Sequence, residues 1–386
     1  MTLIRSPIHS PIRSPIYSPL DGKWGLGDPL GAWLLNATYA DYDARKLDRL
    51  FQDSTGQTAV AASGDKVGLW FDGSQFGTKT LAQVIIGQPE LKGGGVVGLI
   101  GSATAAQYNT STGVGQVTRV DAVNQSYLTF STTSWVLMTI SATGANGVLI
   151  RAGSSGAAIW YSLGGNTSAT VLVQPGSGSI TITSQSASTA TFTITSVKAI
   201  PGYHGLQATA NSRLNYLVSG NRITLTADAI DDNELTTYLA GAGANSILFD
   251  IDVPATVSAS QVIIGMSGSA TARLSLGINT SGQLCAGVGN DANTTIVGTT
   301  DWRGSRLIAA LSADGSLVKL LTSAGEEYSA AQNGSPTTTI PARLAANNNN
   351  GTGSSFFGGG IARAIIAQKA MDLATFNAIR NQLLAS

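Results

Sequence analysis

Short runs that alternate apolar and polar residues recur along most of this chain, each closed by glycine, serine or asparagine. Gln116-Val117-Thr118-Arg119-Val120, Ser179-Ile180-Thr181-Ile182-Thr183 and Thr191-Phe192-Thr193-Ile194-Thr195 are examples. A period of two puts alternate side chains on opposite faces of an extended strand, so these runs fit half-buried strands and not helices. Gly164-Gly165-Asn166 and Pro175-Gly176-Ser177-Gly178 supply turns between them. Further on, Ile247, Phe249, Ile251 and Val253 alternate against Asp250 and Asp252. Asp314-Gly315 then separates apolar runs at 307–311 and 317–321, as a hairpin turn would. Many short strands at this spacing predict an all-β chain of β-sandwich or jelly-roll architecture.

Helical signals are few. Leu373, Phe376, Ile379 and Leu383 stand at helical spacing and predict an amphipathic helix from about Asp372 to Leu384, packed on the last sandwich. Residues 30–51 carry a helical or mixed signal, with Trp33, Leu34, Leu47, Leu50 and Phe51 as expected core. The stretches 347–350, 351–355 and 358–360, rich in asparagine and glycine, are expected as exposed turns.

The first twenty residues follow a different rule. Arg5-Ser6-Pro7-Ile8 is followed by His9-Ser10-Pro11-Ile12, Arg13-Ser14-Pro15-Ile16 and Tyr17-Ser18-Pro19-Leu20. Proline at every fourth position removes a backbone donor and excludes both a helix and a central strand. The serine before each proline is pushed to extended geometry. A solvated tail is one reading of such a terminus. The other is an assembly anchor. Pro7, Pro11, Pro15 and Pro19 would hold the chain extended, while Ile8, Ile12, Ile16 and Leu20 dock on a partner.

Composition narrows the function classes. Charged residues make up 11% of the 386, against about 25% in ordinary soluble domains, and the net charge is zero. That leaves no electrostatic footprint for nucleic acid or an anionic membrane. No run approaches a membrane span, and the opening Met1-Thr2-Leu3-Ile4 does not read as a secretory signal. Cys285 is the only cysteine, which excludes an intrachain disulfide framework.

The segment Leu50-Phe51-Gln52-Asp53-Ser54-Thr55-Gly56, continued by Val60, Gly64-Asp65-Lys66-Val67-Gly68-Leu69-Trp70 and Asp72-Gly73, resembles a module of tail-fibre-like and other virion proteins of tailed bacteriophages. In those proteins the motif opens a lectin-like, concanavalin-type β-sandwich, and a second segment of the form H..QAT...RP.L soon follows. Its counterpart here is His204-Gly205-Leu206-Gln207-Ala208-Thr209-Ala210-Asn211-Ser212-Arg213-Leu214, with Asn215 nearby where the pattern has proline. The resemblance is close over about 30–75 and 200–220. Together with the proline array and the alternating runs at 76–203, too long for a loop, it divides the chain into an extended anchor (1–22), a linker and opening segment of the lectin-like module (23–75), an inserted jelly-roll sandwich (76–203) and a concanavalin-like sandwich with a C-terminal helix (204–386). The run Phe192–Ile200 is also similar to the last strand of jelly-roll carbohydrate-binding modules.

The implied function is a structural component of a phage virion, made in the bacterial cytoplasm. The expected role is a tail or baseplate fibre held by its Ser-Pro repeat and binding a host-surface receptor or glycan. A head fibre or capsid decoration protein is the alternative, with a glycan depolymerase behind both. Expected partners are other virion proteins through residues 5–20, a host-surface glycan and further copies of the chain. Nucleic acid, membrane insertion and cofactors are not expected.

Catalytic signals are thin. Gly93–Gly98 satisfies G-x-G-x-x-G, yet Pro89-Glu90-Leu91-Lys92 stands where the preceding buried strand should be. With only His9 and His204, neither a His-based metal site nor a Ser-His-Asp triad is expected. His204 reads as a turn cap or a residue packed at a domain junction. Asp250 and Asp252 share one strand face, as the paired carboxylates of sandwich glucanases do. Without neighbouring glutamates they read as the solvent face of an edge or outer sheet, and calcium binding by the pair lacks further carboxylates. For glycan contact the candidates are Trp135, Trp160 and Tyr161, whose rings could stack on sugar faces. Core packing is the ordinary alternative at each. Trp160 and Tyr161 are adjacent, so on a regular strand one points in and the other out.

Overall fold

The computed structural model describes residues 28–76, 79–91, 107–109, 114–117, 128–131, 135–145, 147–153, 157–174, 179–185, 190–207, 210–226, 235–236, 245–267, 273–289, 295–332, 342–349 and 352–385. The anchor candidates Pro7, Ile8, Pro11, Ile12, Pro15, Ile16, Pro19 and Leu20, and the glycine run at 93–98, lie outside these residues. Among the described residues the chain is all-β with three helices: α1 (Pro29–Leu34), α2 (Leu81–Gly87) and α3 (Leu373–Leu384).

The outer parts of the chain build one sandwich. A nine-stranded sheet takes strands from 39–67 and 214–367, and an eleven-stranded sheet takes strands from 50–70 and 205–354. The two share one apolar core, in which Tyr42, Trp70, Phe249, Ile251, Leu276 and Phe357 are fully buried. The hairpin expected at Asp314-Gly315 is present. Arg306–Ala313 pairs with Leu317–Thr322, the Asp314 carboxylate accepts from the backbone of Ser316 and Leu317, and Gly315 sits at φ 95°.

Between these parts, strands from 107–200 form a second sandwich. Leu128–Ser131, Val148–Ala152, Ile159–Leu163 and Ser179–Ser184 make a four-stranded sheet, facing five strands that include Trp135–Thr143 and Ala190–Ile200. Its core contains Met138, Ile150, Ile180, Phe192 and Ile194. A bulge between Ile194 and Ser196 shifts the parity of the last strand, so that Ile194 and Val197, three apart, are both buried.

Helices α1 and α3 pack together on the outer face of the nine-stranded sheet. Asp372 caps α3 by accepting from Thr375 N at 2.7 Å, and the helix buries Phe376, Ile379 and Leu383 against Leu248, Ile308 and Ile365. Gln382 on α3 donates to the Asp28 cap of α1, tying the two helices together.

The 30–51 segment is mixed, one of the two readings its residues allow. Helix α1 ends at Leu34, Asn36 takes φ 61°, and Tyr39–Asp43 runs as a strand beside Gly360–Ala367. Cross-sheet pairing overrides the local helical spacing here. Leu47, expected in the core, is 40% exposed. The expected turns at the end also differ. Asn347–Asn349 and Thr352–Ser354 pair as short strands, while Gly359 and Gly360 are buried at the start of the strand Gly360–Ala367.

Candidate functional site

The two segments that carry the sequence resemblance, far apart in the chain, form one hydrogen-bonded unit where the second sandwich leaves the first and returns. Leu69–Trp70 pairs with Gly205–Leu206. Arg213 spans the same unit, donating from Nη1 to Gln52 O at 2.7 Å and from Nε to Gln207 O at 3.1 Å. Gly68 is required by this approach, because a Cβ there would lie 2.7 Å from Arg213 Nε and 2.9 Å from Gln52 O. Asp53 organises the loop beside it, accepting from the Thr55 hydroxyl and from the backbone of Thr55, Gln57 and Thr58. Burial opposes its charge, but those bonds outweigh it and hold the carboxyl below its usual range. The loop then grips the second sandwich: Leu172 N donates to Thr55 O at 2.9 Å, and the Gln57 amide donates to Thr170 O.

An apolar joint lies beneath this polar frame. Leu69, Phe71, Phe76 and Leu206 meet Trp135, Leu172 and Ile200 of the second sandwich, with Leu81 and Val84 of α2 closing one side. His204 is fully buried there, its ring centroid 4.6 Å from Phe71 and 5.2 Å from Trp135. Its Nδ1 accepts from Asp72 N at 3.1 Å, which fixes the neutral ring with its proton on Nε2. Burial drives its pKa down to about 3; the Ile200 backbone offsets part of that, while Nε2 finds no partner in hydrogen-bond geometry. Asp72 is equally buried and accepts from Asp41 N, Ser74 N, Ser74 Oγ and Tyr203 N, each at 2.8 Å. Burial still prevails and pushes its pKa up to about 6. The junction reading of His204 is the geometry observed.

Of the aromatic candidates, Trp135 and Trp160 pack in this joint, while Tyr161 packs against the core of the second sandwich. Trp135 is 6% exposed and meets Trp160 edge-on at 6.4 Å. Trp160 is half-buried and donates its indole N–H to Leu172 O at 2.8 Å. The simple in-and-out alternation of Trp160 and Tyr161 does not occur, because the register shifts between Ile159 and Tyr161. Both rings pack half-buried against the second core, and the exposed residues of that strand are Ser162 and Ile159, the latter at 51%.

Asp250 and Asp252 are not on a solvent face of an edge strand. Their strand, Asn245–Asp252, is central in the nine-stranded sheet, between Arg306–Ala313 and Gly360–Ala367. Asp250 is 6% exposed and is gripped by two guanidinium groups, from Arg222 at 2.6 and 2.9 Å and from Arg306 at 2.8 and 3.0 Å. Burial raises its pKa, but these bonds overcome that and leave it below the usual carboxylate range. Arg222 also bridges to Asp252, and Arg306 reaches the Leu383 carbonyl at the end of α3. Held between two guanidinium groups, one of which reaches α3, Asp250 fits a structural clamp on the helix. Among the described residues no cluster of three or more His, Cys, Asp or Glu could hold a metal ion.

A cavity of about 160 Å³ opens on the eleven-stranded sheet, away from the joint. It is lined by three neighbouring strands, through Gln261 and Val262, Ser275 and Gly277, and Cys285 and Gly287. The sequence signal for it was present but went unread. Along Arg273–Ile278 and Leu284–Gly289 the inward positions are Leu, Ile, Val and Ala, and outward Ser275, Gly277, Cys285 and Gly287 are all small.

No protein-family model matches the sequence, and no curated protein matches it significantly. Solved structures with partial likeness include the CBM40 of Ruminococcus gnavus IT-sialidase bound to α2,6 sialyllactose, at 20% identity and TM-score 0.31 over 36% of this chain and 84% of that one. The NanB sialidase of Streptococcus pneumoniae aligns at 17% identity and TM-score 0.31, over 36% of this chain and 24% of that one. The binding domain of botulinum neurotoxin DC aligns at 13% identity and TM-score 0.34, over 46% and 48%. Likeness at this level carries no argument about what the chain binds. The class established by its own sheets is an all-β protein of two joined sandwiches.

Proposed function

We propose that the chain is a structural protein of a bacteriophage virion, a tail or baseplate fibre component held by its Ser-Pro repeat and binding a host-surface receptor or glycan. One observation carries the reading. The residues that resemble the phage module, 50–73 and 204–214, meet in space as a single unit in which Asp53, Gly68, Asp72, His204 and Arg213 each have a defined structural task. That the two segments assemble into one joint supports reading them as parts of a single module. The role is binding and architecture rather than catalysis, a reading supported by the locked Asp250.

Immunogold labelling of purified phage particles with antibody against the full chain tests this. Gold at the tail or baseplate is expected. Gold confined to the head would replace this role with a capsid decoration, and particles without label would remove the virion reading altogether.

A further inference from the structure

The residues lining the cavity on the eleven-stranded sheet are not those of the joint, and its chemistry is specific. None of the residues lining it is charged. Gln261 is oriented by its own Oε1, which accepts from Gly358 N at 3.0 Å, and among the described residues its amide nitrogen has no acceptor. The half-buried Ser275 hydroxyl likewise has no hydrogen-bond partner among them. Between these groups the floor is bare backbone and short side chains, since Ser275 pairs with Gly287 and Gly277 with Cys285 across adjacent strands. Packing requires Gly277, where a Cβ would lie 2.3 Å from Gln261 O.

Three ligand classes can be weighed against this lining. An ion would be desolvated without a countercharge, at a cost the site does not offset. A purely apolar group would strand the Gln261 and Ser275 donors. A neutral ring with hydroxyls on its rim and C–H groups on one face satisfies both the donors and the floor. We propose that this cavity binds one neutral sugar residue of a host-surface glycan, a step that rests on the receptor-binding role above and moves the contact away from the aromatic rings of the second sandwich.

Cys285 provides the readout, because it lines the cavity and is the only cysteine. The full chain is treated with a small maleimide in the presence of methyl glycosides of glucose, galactose, mannose or N-acetylglucosamine, with sialyllactose as the charged comparison. At ten times its Kd, a bound glycoside should slow modification about tenfold. Gln261→Glu keeps the oxygen that holds Gly358 and removes the donor, so it should abolish protection at an unchanged melting midpoint. Ser275→Ala should weaken protection several-fold. Failure of every neutral glycoside to protect, protection by sialyllactose alone, or equal protection in both variants would overturn the proposal. Adsorption of the full chain to host cells is measured in parallel. Adsorption without protection removes the cavity and leaves the receptor role, whereas loss of both removes both.

Discussion

Acidification acts on two buried groups of the joint in opposite directions, and single substitutions separate them. His204 is a base whose folded pKa, about 3, lies below its ordinary 6.5. Its neutral form is the one the joint accepts, so stability is whole above 6.5 and drains as pH falls toward 3. Asp72 is an acid whose folded pKa, about 6, lies above its ordinary 3.8. Its ionisation costs stability as pH rises through that window, so acidification returns it. From about pH 7.5 to about pH 4.5, linkage gives a loss of about 2.7 kcal/mol through His204 and a gain of about 2 kcal/mol through Asp72. From these two groups the wild-type chain should therefore lose only about 0.7 kcal/mol. His204→Asn keeps an acceptor for Asp72 N, and relative to wild type it should gain about 2.7 kcal/mol on the same acidification. Asp72→Asn should lose about 2 kcal/mol relative to wild type. Urea unfolding of the three proteins at both pH values measures this, and comparison between variants cancels every other titrating group. Identical pH dependence in wild type and His204→Asn would refute the reasoning.

The remaining expectations concern packing and the clamp. Asp250→Ala leaves Arg222 and Arg306 without their shared carboxylate, and since both reach solvent the loss should be about 2–3 kcal/mol, below that for a fully buried pair; hydrogen exchange should show α3 protected least. Trp135→Ala opens the joint beside His204 and should cost about 3–4 kcal/mol by chemical denaturation, without altering the eleven-stranded sheet's cavity. Gly68→Ala forces a Cβ against Arg213 and the Gln52 backbone and should cost about 2 kcal/mol or more in the same assay.

Much of the architecture was legible because period-two alternation reports the inward face directly. Ile247, Phe249 and Ile251 are in the core as their spacing requires, and the Asp314-Gly315 hairpin and the helix after Asp372 stand where local signals put them. Alternation says nothing, however, of what covers the outward face. Asp250 looks solvent-facing in sequence because Arg222, Arg306 and α3, which bury it, come from 28 to more than 100 residues away. One-residue bulges are equally silent, and the one before Tyr161 cancels the expected split between Trp160 and Tyr161. The 30–51 segment is mixed, as its signal allows, but its strand could not be placed from local residues because the partner Gly360–Ala367 lies over 300 residues later. At the joint, the motif residues could be recognised but not their task. Asp72 and His204 are 132 positions apart, and only the fold brings them together.

The proposed role gives the Ser-Pro repeat the task of holding the chain in a phage particle, and this can be measured directly. Particles assembled with the full chain and with a chain lacking residues 1–20 can be purified and the protein in each quantified by mass spectrometry. The truncated chain is expected to fold with an unchanged melting midpoint and to be missing from the particles. Incorporation at the level of the full chain would contradict the account.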